Sequence, residues 1–353
     1  MSAPTRRPRA TIADVAREAG VSRTTVSHAL NGLGKVNPQT RERVRSVAEA
    51  LDYRPSVRAQ GLRKGRSRAV ALLSSMPAAV SAGPSQLGFF TELAMSCART
   101  ALLSGYVFVL APPADGDSPV DRLDIDGAIL LEPEADDPIA AALTARGIPF
   151  VTIDGPEAVD SPQARASVDL HHTQTATLLI DHLIAQGAQA PALIVGTSDR
   201  GAQVAARDVY LSAAAAHGFT PIIAEADEAD GEDGGARATA EVLADHPRVD
   251  ALLVPIDTFA AGAVRAAAEA GRRVGSDLLI ATRYDGLRAR TSTPPLTAVH
   301  LGLDAVAQSA VESLLAVLDA GPEEASEPAT AEPPAPTLIP RASTAGGTSV
   351  GGA

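Results

Sequence analysis

The chain has 353 residues, 45% of them hydrophobic, which is enough for two or three compact units with apolar cores. Its net charge of −12 is uneven, because residues 1–68 hold 15 Lys/Arg against 5 Asp/Glu and the remainder holds 15 against 37. One cysteine excludes an intramolecular disulfide framework, and without a long apolar run or a signal-like start we expect a cytoplasmic protein with no membrane partner. A basic head on an acidic body predicts that only the head meets a polyanion.

The first predicted elements are three short helices. Thr11 is the candidate N-cap of the first helix, and Gly20 ends it. Ser22 caps the second helix, and Pro38 opens the third. A glycine-containing turn between the first two helices predicts a helix-turn-helix headpiece over residues 1–54.

The rest of the chain has a different pattern of apolar and polar residues. Residues 55–68 form a short basic segment that joins the headpiece to the body. From Ala69, eight apolar runs from "AVALLSS" to "LLIAT" alternate with Ala-rich helical stretches, which predicts parallel sheets covered by helices. Residues 322–353 contain almost no large apolar side chain, so we expect a disordered tail.

The stretch "GVSRTTVSHALNG" at residues 20–32 concentrates small polar side chains on the second helix. The side chains predicted to face inward are Val26, Ala29 and Leu30. Those left on the front and flank are Arg23, Thr24, Ser27 and His28. Arg23 can bond a guanine edge or a phosphate, whereas Thr25 contacts a phosphate or stabilises the turn. The pattern therefore predicts a helix that reads DNA.

This part of the chain resembles the DNA-binding headpiece of the lactose-repressor (LacI) family of transcriptional regulators. The residues that carry the resemblance are "TIADVAREAGVSRTTVSHALNG…VNPQTRERVRSVAEALDYRPS". The resemblance runs without a gap from Thr11 to about Arg63. It implies a homodimer that places two such helices in successive major grooves of a near-palindromic operator. The residues expected to contact DNA are Thr11, Ser22, Arg23, Thr24, Thr25, Ser27, His28, Asn31, Tyr53, Leu62 and Arg63.

In the family, the basic segment after the headpiece is a hinge helix whose leucine opens the central base step from the minor groove. By position this leucine is Leu62. Gly61 departs from the usual sequence and weakens a helix by up to about 1 kcal/mol, which makes hinge folding more dependent on DNA. The alternative is a plain linker in which Leu62 has no special role.

The family resemblance continues through the body, residues 69–321. It implies the fold of periplasmic sugar-binding proteins, with two parallel-sheet α/β subdomains split near 168 and 297 and a third crossing after about 300. A small-molecule effector, a sugar being one candidate, would lie in the cleft between them. The expected effector residues are Phe89, Phe90, Asp154, Arg207, Asp257 and Asp285.

The cleft departs from the family near all of these residues except Asp257, which lies where Asn or Asp is usual. Leu87-Gly88 replaces Asn-Pro before the two phenylalanines, which either stack on a ligand ring or pack in the core. The segment around Arg207 resembles Arg-x-x-Gly-Tyr with Val209 in place of the glycine. In "ATRYDG", Arg283 replaces the glycine of Gly-Phe-Asp, and Gly155 lies where an arginine is common.

These features together predict a ligand-responsive, sequence-specific DNA-binding transcriptional regulator, and within that class a repressor. Its expected partners are a double-stranded DNA operator, a small-molecule effector and a second copy of the chain. No catalytic motif, cofactor or metal site is expected, because dinucleotide-binding and zinc motifs are missing from the sequence. Two alternatives stay open: a regulator whose cleft binds nothing, and a solute-binding protein, which the basic headpiece argues against.

Overall fold

The structure is a computed structural model, and it describes residues 10–31, 35–53, 66–77, 88–111, 118–155, 161–320 and 329–345. The chain divides into two compact units, Met1–Arg68 and Ala69–Ala353. Most of the predicted hinge, including Leu62 and Arg63, lies outside the described residues.

The described residues of the first unit form three helices, α1 (Ile12–Ala19), α2 (Arg23–Asn31) and α3 (Pro38–Ala50). Each contributes a fully buried valine to one small core, namely Val15, Val26 and Val44. Alanines from the same helices fill the space around the valines. These helices and their inward-facing residues agree with the helical periodicity of the sequence.

Within the described residues, the second unit contains twelve strands in two sheets. In chain order they are β1 (Ala69–Ser74), β2 (Val107–Leu110), β3 (Gly127–Leu131), β4 (Phe150–Ile153), β5 (Ala164–Val168), β6 (Pro191–Gly196), β7 (Ile223–Ala226), β8 (Ala251–Val254), β9 (Leu279–Tyr284), β10 (Thr297–His300), β11 (Ala329–Ala331) and β12 (Thr337–Ile339). The first sheet has the order β11-β5-β4-β3-β1-β2, and the second has the order β12-β10-β9-β8-β6-β7. All pairs are parallel except β10 with β12.

Eight α-helices accompany these strands in the described part of the unit. They are α4 (Phe89–Leu103), α5 (Pro138–Ala145), α6 (His172–Ala185), α7 (Gly201–His217), α8 (Gly231–Asp245), α9 (Asp257–Glu269), α10 (Leu287–Thr291) and α11 (Leu303–Ala320). The headpiece and the two parallel-dominated α/β subdomains confirm the predicted fold class. Cys97 is buried on α4, as its apolar surroundings in the sequence indicate, and burial raises the pKa of its thiol to about 12.

The chain passes three times between the two sheets. It leaves the first sheet after Val168 and returns from the second after His300, so the crossing expected near 297 follows β10. The third crossing lies between β11 and β12. Eight of the twelve strands coincide with the apolar runs of the sequence. The strands that the runs do not reveal are β5, β10, β11 and β12; of these β5 mixes polar and apolar residues, and β10, β11 and β12 have only three or four residues each.

The prediction of a disordered tail over 322–353 is wrong for residues 329–345. There β11 pairs with β5, and β12 pairs antiparallel with β10. The fully buried Ser343 accepts the Thr297 N–H at 2.8 Å and donates to the Ile280 carbonyl at 2.6 Å. Order here comes from backbone pairing and from small polar side chains that satisfy buried strand groups, so it does not require large apolar residues.

No helix among the described residues is both long enough and apolar enough to span a membrane.

Candidate functional site

The turn between α1 and α2 is determined by local capping. The Thr11 hydroxyl accepts the Asp14 N–H, while the Asp14 carboxylate accepts the Thr11 N–H at 2.9 Å, which completes a capping box. Gly20 ends α1 with φ of 65°, a left-handed conformation that glycine adopts without steric cost. These caps determine where the chain leaves α1.

The beginning of α2 is capped by Ser22. Its hydroxyl oxygen accepts the Thr25 N–H at 3.0 Å and lies 2.9 Å from the Thr25 hydroxyl oxygen. The Thr25 side chain therefore stabilises the turn, one of the two roles predicted for it. The backbone N–H groups at this helix end form a favourable environment for a phosphate.

The outer face of α2 differs from the prediction at one residue. Arg23 and Thr24 are exposed and His28 is half-exposed, with Thr24 and His28 one turn apart on the same face. Ser27, in contrast, is only 7% exposed. It follows Val26 directly and lies three residues before Leu30, so it belongs to the packed side of the helix. The prediction of an outward-facing Ser27 is wrong.

The remaining residues expected to contact DNA are differently placed. Thr11 is exposed, but its hydroxyl also donates to the Asp14 carboxylate at 2.7 Å. Tyr53 packs partly against the headpiece core, and burial raises the pKa of its phenol. The side chain of Asn31, together with Leu62 and Arg63, lies outside the described residues.

A second candidate site is a cleft in the second unit, between the carboxyl ends of strands from the two sheets. The residues lining its cavity include Met76, Phe89, Phe90 and Glu132 from the first subdomain and Arg200, Gln203, Glu228, Asp257, Arg283 and Tyr284 from the second. The cavity measures about 60 Å³. Ligand pockets commonly measure roughly 300–1,000 Å³, so the chain's own side chains fill most of this cleft.

Glu132, directly after β3, is the centre of a buried charge network. Its carboxylate accepts a hydrogen bond from Arg283 Nη2 at 2.6 Å, and its backbone carbonyl accepts one from Arg200 Nη1 at 2.5 Å. Burial alone would raise the pKa of Glu132. The positive charges of Arg283, His172 and Arg200 outweigh that effect and hold the pKa below its usual value.

Arg200, immediately before α7, contacts both subdomains. It is 5% exposed and donates to Ser75 Oγ at 3.3–3.4 Å as well as to the Glu132 carbonyl. Its Nε lies 3.8 Å from the carboxylate of Glu228, and that carboxylate accepts a bond from Ser198 Oγ at 2.5 Å. Burial raises the pKa of Glu228, although Ser198 and Arg200 oppose the shift.

The aromatic side chains of the cleft already have partners. Phe89 and Tyr284 make an edge contact with ring centroids 5.4 Å apart. The guanidinium of Arg283 lies over the Phe89 ring, with Cζ 5.1 Å from the centroid. The Tyr284 hydroxyl donates to the carboxylate of Glu92, which joins the two subdomains at a second point.

Strained backbone is concentrated at the strand ends near the cleft. Glu132, Asp154 and His171 have φ of 42°, 57° and 53°, a left-handed conformation that non-glycine residues seldom adopt. Such conformations occur most often at functional sites, where the surrounding structure maintains them. His172 Nε2 contacts the Asp154 carboxylate and lies 3.5 Å from Glu132 Oε1.

The structure places the predicted effector residues at several locations. Phe89, Phe90 and Asp257 line the cavity. Asp154 lies beside it, with His172, in a separate depression. Asp285 is not among the cavity-lining residues, because its 7%-exposed carboxylate is engaged by Arg341 and Arg290.

The predicted role of Arg207 is wrong. Its Nη2 donates to the Gly196 carbonyl at 2.7 Å and pairs with the half-exposed Glu225 at 2.8 Å, away from the cavity lining. The cause is one residue of spacing: Arg207 precedes Tyr210 by three positions, whereas the family motif has four. A one-residue shift turns a helical side chain by about 100°.

Sequence reasoning missed Glu132, Arg200 and Glu228 as cleft residues. Glu132 could have been found, because it directly follows the apolar run "GAILL", and polar residues at strand ends are the general candidates. No local pattern distinguishes Arg200 or Glu228. Among the described residues, no group of three or more His, Cys, Asp or Glu is arranged to hold a metal ion.

Two family profiles match the chain. The profile of bacterial regulatory proteins of the lacI family matches residues 11–56, which include the three helices of the headpiece. The profile of the periplasmic binding protein-like domain matches residues 180–344. The second match extends through β12 and includes residues 322–344 of the region expected to be disordered.

Relatives with known roles span nearly the whole chain. The HTH-type transcriptional regulator CelR of Thermobifida fusca is 31% identical over 306 residues, which cover 84% of this chain and 88% of that protein. The HTH-type transcriptional repressor PurR of Erwinia tasmaniensis is 30% identical over 351 residues, which cover 96% and 98%.

Two solved structures have the same architecture. A complex of CelR with cellobiose superposes with a TM-score of 0.67 at 27% identity, covering 95% of this chain and 100% of that one. A Lac repressor dimer bound to operator and the anti-inducer ONPF gives 0.76 at 26% identity, covering 96% and 99%. The chain therefore belongs to the lacI family of bacterial regulatory proteins and is a DNA-binding transcriptional regulator, not an enzyme.

Proposed function

We propose that this chain is a repressor that binds a near-palindromic operator as a homodimer and responds to a small molecule in its interdomain cleft. The observation that carries the DNA-binding part is the outer face of α2. Arg23 and Thr24 are exposed there, immediately beyond a capped turn, while the opposite face packs in the headpiece core. A helix presented in this way fits the major groove, where such side chains bond base edges.

An exposed apolar surface supports the homodimer. It is formed by α4 and the neighbouring edge strand β2, and its large side chains are Met95, Leu102, Leu103, Val107 and Leu110. Leu103 is 84% exposed, and several large exposed apolar side chains on neighbouring elements are typical of an interaction surface. We assign a second copy of this chain to the surface, because the similar Lac repressor structure is a dimer and a two-fold axis pairs one surface with itself.

The hinge part of the proposal concerns Leu62 alone. If Leu62 inserts between base pairs, Leu62→Ala will weaken binding to the selected operator much more than binding to random duplex DNA. A plain linker would give equal losses for both, because non-specific binding depends mainly on phosphate contacts. Measuring both affinities at one salt concentration separates the two cases.

The effector part of the proposal is supported by relatives, since CelR has been solved with cellobiose. An effector that binds the two cleft states unequally changes operator affinity by a coupling free energy of about 1–3 kcal/mol, and operator DNA must change effector affinity equally. The small cavity favours a second candidate, a regulator whose cleft binds nothing. Thermal unfolding with metabolite mixtures distinguishes them, because a ligand at 100 times its Kd stabilises by about 2.7 kcal/mol.

The experiment that tests the proposal is selection from a random duplex library with the full-length protein at a stated salt concentration. Enrichment of a palindrome with a deformable central step supports a dimer with an inserting hinge. Enrichment of single half-sites would contradict the dimeric and hinge-inserting parts and leave only a DNA-binding headpiece. Absence of any motif would contradict sequence-specific binding by this chain alone.

A further inference from the structure

The side chain of Arg283 occupies the centre of the cleft as a ligand would. It comes from β9 of the second subdomain, is 11% exposed, and hydrogen-bonds Glu132 of the first subdomain at 2.6 Å. Its guanidinium also covers the face of Phe89, which begins α4 of the first subdomain. A carboxylate beside an aromatic face is a good binding environment for a planar cation.

This arrangement depends on having an arginine at position 283. The segment "TRYDG" places Arg283 where the resembled family motif has glycine. A glycine there would leave the space over Phe89 and beside Glu132 empty. The structure therefore contains both a guanidinium-binding subsite and an internal group that fills it.

The charged groups that line the cavity determine which charge a ligand must carry to displace Arg283. Three carboxylates, Glu132, Glu228 and Asp257, line the cavity with two guanidinium groups, Arg200 and Arg283, and Asp257 is paired with Arg288 at 3.0 Å. A neutral ligand that displaced Arg283 would leave Glu132 buried without its partner. An anion that displaced Arg283 would be repelled by the freed Glu132 carboxylate. A cation can replace Arg283 on Glu132 without changing the charge of the site.

We propose that Arg283 is an internal guanidinium ligand that determines the specificity of this cleft, and that the effector carries a guanidinium or similar planar cationic group. This inference rests on the proposed role of the cleft as the effector site. It narrows that role, because a neutral sugar does not reproduce the charge that Arg283 supplies.

The test uses the full-length protein and its Arg283→Gly variant with methylguanidinium as the probe. Isothermal titration calorimetry should show at least tenfold tighter binding of methylguanidinium to the variant than to the unsubstituted protein. Methylurea is the matched control ligand, because it has nearly the same shape and no charge. It should bind the variant at least tenfold more weakly than methylguanidinium does.

Glu132 supplies the matched control variant. Adding Glu132→Gln to Arg283→Gly should remove the preference for methylguanidinium over methylurea, because the charged partner is gone. Methylguanidinium should also move the operator affinity of Arg283→Gly back towards that of the unsubstituted protein. A merely structural loss would not be restored by a small cation.

Two results would overturn the inference: equal binding of methylguanidinium to the two proteins, or equal binding of methylurea and methylguanidinium to the variant. If Arg283→Gly is too unstable for calorimetry, its thermal midpoint decides, since the midpoint should rise with methylguanidinium and not with methylurea. Operator selection does not depend on these outcomes. A failed cation test with an intact operator therefore rejects the effector class and leaves the DNA-binding proposal standing.

Discussion

Arg23 and Thr24 on the outer face of α2 are exposed, whereas in the cleft Glu132 and Arg200 are buried, Arg283 is 11% exposed, and both arginines bond Glu132. Both regions concentrate polar side chains, yet their environments are opposite. Exposed groups exchange water for a partner at little cost, so they are suited to contacts with another molecule. Buried groups must satisfy each other, because an unpaired charge inside a protein is strongly unfavourable.

This contrast has a consequence for how the two regions respond to substitution. A change on α2 should alter DNA affinity and leave folding intact. A change in the cleft should alter stability first, since each side chain there compensates another across the two subdomains. Measuring both the free energy of unfolding and the operator affinity of the same variants therefore tests whether the two regions differ in this way.

The largest effect is expected for Glu132→Asn, in which asparagine tolerates the left-handed backbone but leaves Arg283 without its carboxylate partner. Loss of one partner of a buried pair costs about 3–5 kcal/mol in the free energy of unfolding. Urea denaturation of both proteins measures it. The control is Glu134→Asn, because Glu134 is 42% exposed and pairs with Arg200 at 3.6 Å, so its loss should cost less than about 1 kcal/mol. Equal costs for the two variants would contradict the assignment.

A second effect concerns the ordered carboxyl-terminal segment. Ser343→Ala leaves the Thr297 N–H and the Ile280 carbonyl without their buried partner, which should lower the free energy of unfolding by about 1–3 kcal/mol. Ser212→Ala, at an exposed position on α7, should change stability by no more than about 0.5 kcal/mol. If Ser343→Ala proved as neutral as Ser212→Ala in thermal unfolding, the packing of residues 329–345 would be refuted.

On α2, Arg23→Ala should reduce affinity for the selected operator by about 1–3 kcal/mol and leave the unfolding midpoint unchanged. Arg45→Ala on α3 is the charge-matched control, because Arg45 is exposed in the same unit. Titration of labelled operator and random duplex separates base reading from general attraction. A loss that is the same for both DNAs, or the same for both variants, would limit Arg23 to a phosphate contact.

The smallest expected effect is on the pH dependence of stability, which should have opposite signs for Glu132 and Glu228. The folded-state pKa of Glu132 is lowered below 4.5, so its stabilising contribution is present above that pH and is lost as the pH falls. The stability difference between the unsubstituted protein and Glu132→Gln should therefore shrink on acidification below pH 4.5. The change should not exceed about 1.4 kcal/mol per pH unit.

Glu228 provides the opposite case, because burial raises its pKa. Its ionisation opposes folding, so Glu228→Gln should become more stable relative to the unsubstituted protein as the pH rises above 4.5. Denaturant unfolding between pH 3 and pH 7 would measure both variants. Parallel pH profiles for Glu132→Gln and Glu228→Gln would contradict this difference between the two carboxylates.

The headpiece could be predicted from sequence because each of its signals is local. Thr11, Gly20 and Ser22 lie within three residues of the helix ends that they cap, and valines at helical spacing mark the packed side. Ser27 was assigned to the wrong face because a small polar residue at the edge of a packed arc can be buried as well as exposed. Its environment depends on how closely the neighbouring helices approach.

The cleft and the tail could be predicted only in outline. Strand ends do supply polar residues to the cavity, namely Glu132 after β3 and Asp257 after β8, and Phe89 and Phe90 from the start of α4 line it as well. Their partners are Arg283 from β9 and Arg288 from α10, far away in the chain, so no spacing pattern connects them. The order of residues 329–345 likewise depends on two strands, β5 and β10, that hydrophobic runs did not reveal.

The sequence by itself determined the helix-turn-helix unit, the alternation of strands and helices and the family, because capping, periodicity and motif spacing are properties of neighbouring residues. Only the tertiary structure decided that Arg283 fills the cleft, that Arg207 pairs elsewhere and that the tail completes both sheets. These outcomes depend on contacts between residues that are far apart in the sequence. The free energy of a buried charge or an unpaired strand is set by those partners and not by its neighbours in sequence.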